Sequence, residues 1–245
     1  NHKTFADYLK AKKGFFDALP KSAFALTNGD DRNGAVMVQN CRAHVVRYSL
    51  RQMADYRAKV LEYAPSPGIP ELIEAIQKYF GRINVSLEPN DILITTGGSE
   101  ALLFTCLSIL DPGTEVIVPE PFYPNYSTFI HAAGGVIRAL PTSGKEGYNF
   151  ANRERIEQLI TSNTRAILFT NPGNPTGLVL NKEEMRMLAD VAREHNIFII
   201  ADEVYREFCY TASTEILSMA QFDDIDDNLI IIDSVSKRFS ACGAR

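Results

Sequence analysis

Ser234-Val235-Ser236-Lys237, with Arg245 eight residues further on, places an amine among hydroxyls and a guanidinium at one end of the chain. A lysine amine can condense with a carbonyl, while hydroxyls and an arginine fork are groups that hold a phosphate. The unbroken apolar run 229–232 before them reads as a buried parallel strand. Lys237 then emerges past that strand's carboxyl end, where open α/β sheets hold ligands. A solvated lysine in a Ser-rich loop fits the same residues, so the rest of the sequence has to separate the two readings.

Four other stretches follow apolar runs in the same way. Thr96-Gly97-Gly98-Ser99-Glu100-Ala101 opens a helical pattern, and glycines at a helix start let a phosphate approach unpaired backbone N–H groups. The pair is also a plain turn; no lysine follows it, so it is not a nucleotide phosphate loop. Pro119-Glu120-Pro121-Phe122-Tyr123-Pro124-Asn125-Tyr126 offers aromatic groups that could cover a planar ring or simply join the core. Asn171-Pro172-Gly173-Asn174-Pro175-Thr176-Gly177 has two Asn-Pro pairs, which fix an extended loop and aim amide side chains. In Asp202-Glu203-Val204-Tyr205, the first carboxylate follows a buried apolar run and needs a cationic partner to offset its desolvation. A protonated pyridine nitrogen would supply one.

The elements that must position these groups alternate. A helix is expected over 71–80, with Leu72, Ile73, Ile76 and Phe80 on its apolar side, after the rigid lead-in 63–70. Strands are expected at 91–95, 115–118, 135–140, 166–170, 197–201 and 229–233, with helices at 99–110, 123–132, 152–161, 182–195 and 214–221. That pattern predicts an α/β fold, a mostly parallel sheet with helices on both faces. Residues 1–62 differ: a helix over 4–19 and strands at 23–27, 35–39 and 44–50 predict a small α+β fragment.

Composition bounds the rest. A chain of 245 residues, 45% of them hydrophobic and 22% charged, can build one large or two small globular domains. Residues 1–62 carry eleven Lys and Arg against six Asp and Glu, while the remainder carries fourteen against twenty-four, so the two parts differ in charge sign. The basic residues are dispersed rather than blocked, which argues against a nucleic-acid arm. Cys41, Cys106, Cys209 and Cys242 lack metal-ligand spacing, and four scattered histidines add none, so no metal site is expected. No apolar run approaches the roughly 18–20 residues that span a bilayer, and Asn1-His2-Lys3 opens no signal peptide. A soluble cytoplasmic protein without membrane partners is the expectation.

Taken together, Gly97 to Ala101, Asn171 to Gly177, Asp202 to Tyr205, Ser234 to Lys237 with Gly243 and Arg245, and Tyr63 with Gly68 resemble the large domain of the fold-type I, pyridoxal-phosphate-dependent aminotransferases of class I, close to their aspartate aminotransferase-like group. The resemblance covers residues 63–245 and implies transfer of an amino group between an amino acid and a 2-oxo acid. It implies that Lys237 binds the pyridoxal 5'-phosphate covalently and then moves the proton at the substrate Cα. Asp202 would keep the ring nitrogen protonated, Asn174 and Tyr205 would bond the ring's phenolic oxygen, and Tyr123 would stack on the ring. Gly98, Ser99, Glu100, Ser234, Ser236 and Arg245 would surround the phosphate. Tyr63 would reach the phosphate of a neighbouring subunit, which implies a homodimer. A lyase or decarboxylase of the same fold, and a non-catalytic remnant, are the alternatives, since the family's small domain and its carboxylate-clamping arginine lie beyond Arg245.

Residues 1–62, through His2-Lys3-Thr4-Phe5, Tyr8-Leu9-Lys10-Ala11-Lys12 and Asn28-Gly29-Asp30-Asp31, resemble part of the central domain of bacterial Mur ligases, UDP-N-acetylmuramoyl-peptide ligases. That resemblance matches Lys12 to a lysine that is carbamylated to help hold magnesium. No GxxxxGK[ST] loop exists in the chain, so the ATP cradle a ligase requires is missing and Lys12 reads as an ordinary helix lysine.

Overall fold

The computed structural model describes residues 4–57, 65–208, 210, 217–239 and 241. They fall into two compact units, Asn1–Ala64 and Pro65–Arg245. In the first, α1 (Phe5–Asp17) starts at a capping box in which the Thr4 hydroxyl accepts from Asp7 N–H and the Asp7 carboxylate accepts from Thr4 N–H. Strand β1 (Phe24–Asn28), helix α2 (Gly34–Met37), strand β2 (His44–Ser49) and the short β3 (Tyr56–Arg57) follow, the strands forming a parallel sheet in the order β1-β2-β3.

Helix α2 replaces the strand expected at 35–39. The Asp31 carboxylate accepts from Asn33 N–H at 2.8 Å, and Asn33 C=O accepts from Met37 N–H at 3.0 Å, so the turn residues feed the chain into a helical turn. Gly34 makes this possible: a Cβ there would lie 2.2 Å from Asn28 O. The apolar residues that suggested a strand instead pack as one helical turn.

In the second unit, α3 (Pro70–Gly81) takes Pro70 at its first position, where a missing N–H costs nothing. Next come α4 (Gly98–Ile109), β4 (Glu115–Pro119), α5 (Asn125–Ala132), β5 (Val136–Leu140), α6 (Arg153–Glu157) and β6 (Thr164–Thr170). Helix α7 (Lys182–His195), β7 (Phe198–Asp202), β8 (Leu229–Ile232) and the single turn α8 (Val235–Arg238) complete it. The five strands are all parallel in the order β5-β4-β6-β7-β8. Side chains alternate between two cores, as a sheet covered on both faces requires. Ile117, Ile167, Phe169 and Ile199 pack with α6 and α7, while Val116, Val118, Leu168 and Ile200 pack with α4 and α5.

The expected α/β architecture is therefore the observed one, with local differences. Residues 91–95 form no strand: a 3-10 turn, Pro89–Asp91, passes into extended chain whose Ile94 N–H donates to Pro67 O at 2.9 Å. The extended segment thus pairs with a loop instead of joining the five-strand ladder. Helix 152–161 shortens to α6, and of 214–221 only Met219–Gln221 is described as helical, a 3-10 turn.

From β4 the chain steps outward to β5 and returns on the other side of β4 to form β6. The strand order thus reverses between β4 and β6, and a crevice opens at their carboxyl ends.

Candidate functional site

Asp202, the last residue of β7, sits at this carboxyl edge and is only 5% exposed. Its Oδ2 accepts from the Tyr126 hydroxyl at 2.5 Å, and its Oδ1 accepts from Val204 N–H at 3.3 Å. Thr170 Oγ1, at the end of β6, lies 2.6 Å from the same tyrosine oxygen; with the tyrosine proton committed to Asp202, Thr170 is the donor there. Burial pushes the Asp202 carboxyl up to about 6, against the lowering effect of these two donors; Asp233 raises it further and Lys237 lowers it. Tyr126 is raised well above its ordinary range, first by burial and then by the Asp202 charge. Among the described residues no lysine or arginine comes within ion-pair distance of Asp202. A buried carboxylate with hydroxyl and amide donors but no cation of its own is suited to a cationic ligand.

Tyr123 and Tyr126 stand edge to face, centroids 5.6 Å apart, at the start of α5. The Tyr123 hydroxyl accepts from Asn125 Nδ2 at 2.8 Å, which fixes the ring's tilt. Asn174 lies on the loop after β6, where Asn171 does the fastening: its Oδ1 accepts from Leu180 N–H at 3.0 Å, and its N–H donates to Asp202 O at 3.0 Å. Gly173 N–H closes the loop onto Leu178 O at 2.7 Å. Asn174, Tyr126 and Thr170 all line a cleft with Glu120, Tyr148 and Thr176, at the place where the strand order reverses.

On the other side, α4 begins at Gly97, whose φ of 149° only glycine adopts without strain. The Glu100 carboxylate accepts from Thr96 N–H at 2.7 Å, and its own N–H is spent on Gly97 O at 3.0 Å. Glu100 therefore closes the turn, and Gly98 and Ser99 occupy the helix's open N-terminal end. A Cβ on Gly98 would come 3.9 Å from Ser234 Cβ, so this helix start and the start of α8 face each other closely. Ser234 caps α8 by accepting from Ser236 N–H at 3.2 Å, and its hydroxyl proton remains available for a ligand. Lys237 is exposed, with Nζ 5.9 Å from the centre of the Tyr205 ring.

The structure thus gathers Gly98, Ser99, Ser234, Ser236, Lys237, Tyr205, Asp202, Tyr123 and Asn174 along the carboxyl ends of β4, β6, β7 and β8. Tyr63 and Arg245 lie outside the described residues. Sequence reasoning missed Tyr126 and Thr170 as partners of Asp202. The only signal was position, an aromatic three residues after Tyr123 and a hydroxyl ending an apolar strand.

Comparison with known proteins gives the arrangement a context. The family model for aminotransferase class I and II matches residues 34–245. The probable aspartate/prephenate aminotransferase of Thermus aquaticus is 39% identical over 168 residues, covering 68% of this chain and 43% of that protein. The aspartate aminotransferase of Bacillus subtilis is 34% identical over 209 residues, 84% of this chain and 52% of that protein. A single mutant of Thermus thermophilus aspartate aminotransferase superposes with a TM-score of 0.70 at 36% identity, over 74% of this chain and 47% of that one. An aromatic aminotransferase from Pyrococcus horikoshii gives 0.70 at 31% identity, over 74% of this chain and 48% of that one. The chain spans about half the length of the curated relatives it matches.

Proposed function

We propose, from the premise that this chain belongs to the class I and II aminotransferase family, that its site takes pyridoxal 5'-phosphate and serves the transfer of an amino group from an amino acid to a 2-oxo acid. The observation that carries the reading is Asp202: a carboxylate 5% exposed at the carboxyl end of an interior strand, provided with two donors and, among the described residues, no lysine or arginine at ion-pair distance. The residues present fit the cofactor. The buried Asp202 carboxylate suits a pyridinium, the open start of α4 and the Ser234 hydroxyl suit a phosphate, and Lys237 would supply the amine.

When bound, pyridoxal phosphate supplies an aldehyde to combine with amines and a ring that withdraws electrons from the substrate Cα. The chain's part is binding, orientation and proton movement. Asp202 would hold the ring nitrogen's proton by charge, Tyr123 would cover a ring face, and Asn174 and Tyr205 would donate to the phenolic oxygen. Gly98 and Ser99 N–H groups, with Ser234, Ser236 and Arg245, would bind the phosphate; Glu100 shapes that turn. Lys237 would hold the cofactor through its amine and would serve as the base that takes the proton from the substrate Cα. Assembly as a homodimer, with Tyr63 reaching the partner's phosphate, belongs to the same proposal.

Incubation with pyridoxal phosphate, borohydride reduction and peptide mapping should place the cofactor on Lys237. Label confined to another lysine would overturn the assignment. Exchange of the amino group into an added 2-oxo acid supports the transferase; loss of carbon dioxide or ammonia with no such exchange would indicate a decarboxylase or lyase instead.

A further inference from the structure

Four of the proposed site residues have immediate neighbours that meet in a single ion network. Glu203 follows Asp202, Arg206 follows Tyr205, Asp233 precedes Ser234 and Arg238 follows Lys237. Arg206 Nη1 pairs with Glu203 Oε2, and its Nη2 lies 2.8 Å from Asp233 Oδ2. Arg238 Nη2 straddles the same Asp233 carboxylate, 3.0 Å from Oδ1 and 3.1 Å from Oδ2. Glu203 also accepts from the Ser218 hydroxyl at 2.7 Å and from Met219 N–H at 2.8 Å. The guanidinium carbons of Arg238 and Arg206 lie 4.2 Å and 4.5 Å from the ring centres of Tyr79 and Phe80 on α3. Glu203 is 0% and Arg206 1% exposed.

Burying an ion pair such as Glu203 and Arg206 is a poor way to add stability, because desolvation offsets most of the attraction. What such a network can do is hold segments at fixed spacing, since each carboxylate accepts only in a few directions. The spacing matters here because α8 is a four-residue helix and one turn cannot maintain itself. Its own bonding includes the Ser234 cap and the backbone bonds from Phe239 N–H to Val235 O at 3.0 Å and from Ala241 N–H to Ser236 O at 3.1 Å, all within or beside that one turn.

We propose that Arg238, through Asp233 and Arg206, is a positioning residue that holds the turn bearing Lys237 in register with the end of β7 at Asp202 and the loop after it that bears Tyr205. The inference rests on the reading of Lys237 as the cofactor lysine, but its first test does not. In the cofactor-free full chain, Arg238→Met should speed amide hydrogen exchange over 235–239 by about tenfold or more while β6 exchanges as before. Arg238→Lys, which keeps the charge and loses the fork, should fall between the two. Should Arg238→Met not fold, Arg238→Lys alone decides, by whether its faster exchange is confined to 235–239. In a second measurement, after loading and borohydride reduction, the share of label on Lys237 should drop in Arg238→Met and partly return in Arg238→Lys. Unchanged exchange at 235–239, or a rise shared equally with β6, overturns the proposal and leaves the network a general stabiliser. If even the unaltered chain takes no cofactor at Lys237, the functional reading fails while the exchange comparison still decides the role of Arg238.

Discussion

The Tyr126 hydroxyl donates to Asp202 Oδ2 at 2.5 Å across 76 positions of sequence, joining the start of α5 to the end of β7. That bond keeps a buried carboxylate from rising further above the range of an ordinary aspartate. Tyr126→Phe removes the donor without changing the ring. The Asp202 carboxyl should then titrate above about 6, and the folded state should lose about 1–3 kcal/mol at neutral pH, where an acceptor is left unsatisfied. Carbon-13 NMR of the carboxyl and urea unfolding of the cofactor-free chain give the two readings. A titration midpoint that does not rise refutes the coupling.

Asp202 itself should make the cofactor-free protein less stable as pH rises. Its carboxyl is raised from 3.8 to about 6 on folding, so between those values the native state holds the proton more tightly than the unfolded chain. Stability from this group is complete below about pH 4 and lost as pH climbs through about 6, amounting to about 3 kcal/mol. Asp202→Asn should remove that slope and melt higher than the parent at pH 8 in the absence of cofactor. The same variant should bind pyridoxal phosphate more weakly, having lost the charge that meets the ring nitrogen. An equal pH slope in parent and variant would show that Asp202 ionises freely.

Glu203, whose carboxyl burial also raises, should differ from Asp202 in what its substitution costs. It is adjacent in sequence but belongs to the Arg206 network, with Ser218 and Met219 as further donors. Glu203→Gln leaves Arg206 short of one countercharge in a buried setting, a loss that ranges to about 3–5 kcal/mol. Urea unfolding should therefore rank Glu203→Gln as the more damaging change, while equilibrium dialysis with pyridoxal phosphate should rank Asp202→Asn so. The same ranking in both measurements would contradict this division of labour.

Which of these roles sequence could reveal follows from the physics of each. The placement of Asp202 and Lys237 was legible because each follows an apolar run, and a parallel sheet delivers the ends of such runs to one edge. Glu203 and Arg206 were not, because a charge beside a site looks the same whether it faces a ligand or a buried partner, and Asp233 is 27 positions from Arg206. Residues 91–95 have strand composition, yet a strand also needs a ladder partner, and here Ile94 N–H donates to Pro67 O in a loop, a pairing that composition does not encode. Val36 and Val38 misled in the same direction; the turn chemistry of Asp31 and Asn33 outweighed their β preference.

Two glycines should respond in opposite ways to the same substitution. Gly68 has φ +120°, and a Cβ there would fall 2.2 Å from Ile94 Cγ1 and 2.7 Å from Ile94 Cβ. The nearer atoms belong to the stiff, branched part of the isoleucine, which cannot swing aside. Gly68→Ala thus meets both a backbone region that side chains avoid and a clash, and should cost more than about 1–3 kcal/mol. Gly81, the last residue of α3, has nothing within 4 Å of its Cβ position and no positive φ. Gly81→Ala should stabilise by about 0.4–1 kcal/mol by restricting the unfolded chain and favouring helix. Denaturant midpoints of the two variants beside the parent check both signs. A neutral Gly68→Ala would mean that the loop ending at Gly68 does not pack on Ile94, and the hydrogen bond from Ile94 N–H to Pro67 O would have to be reconsidered with it.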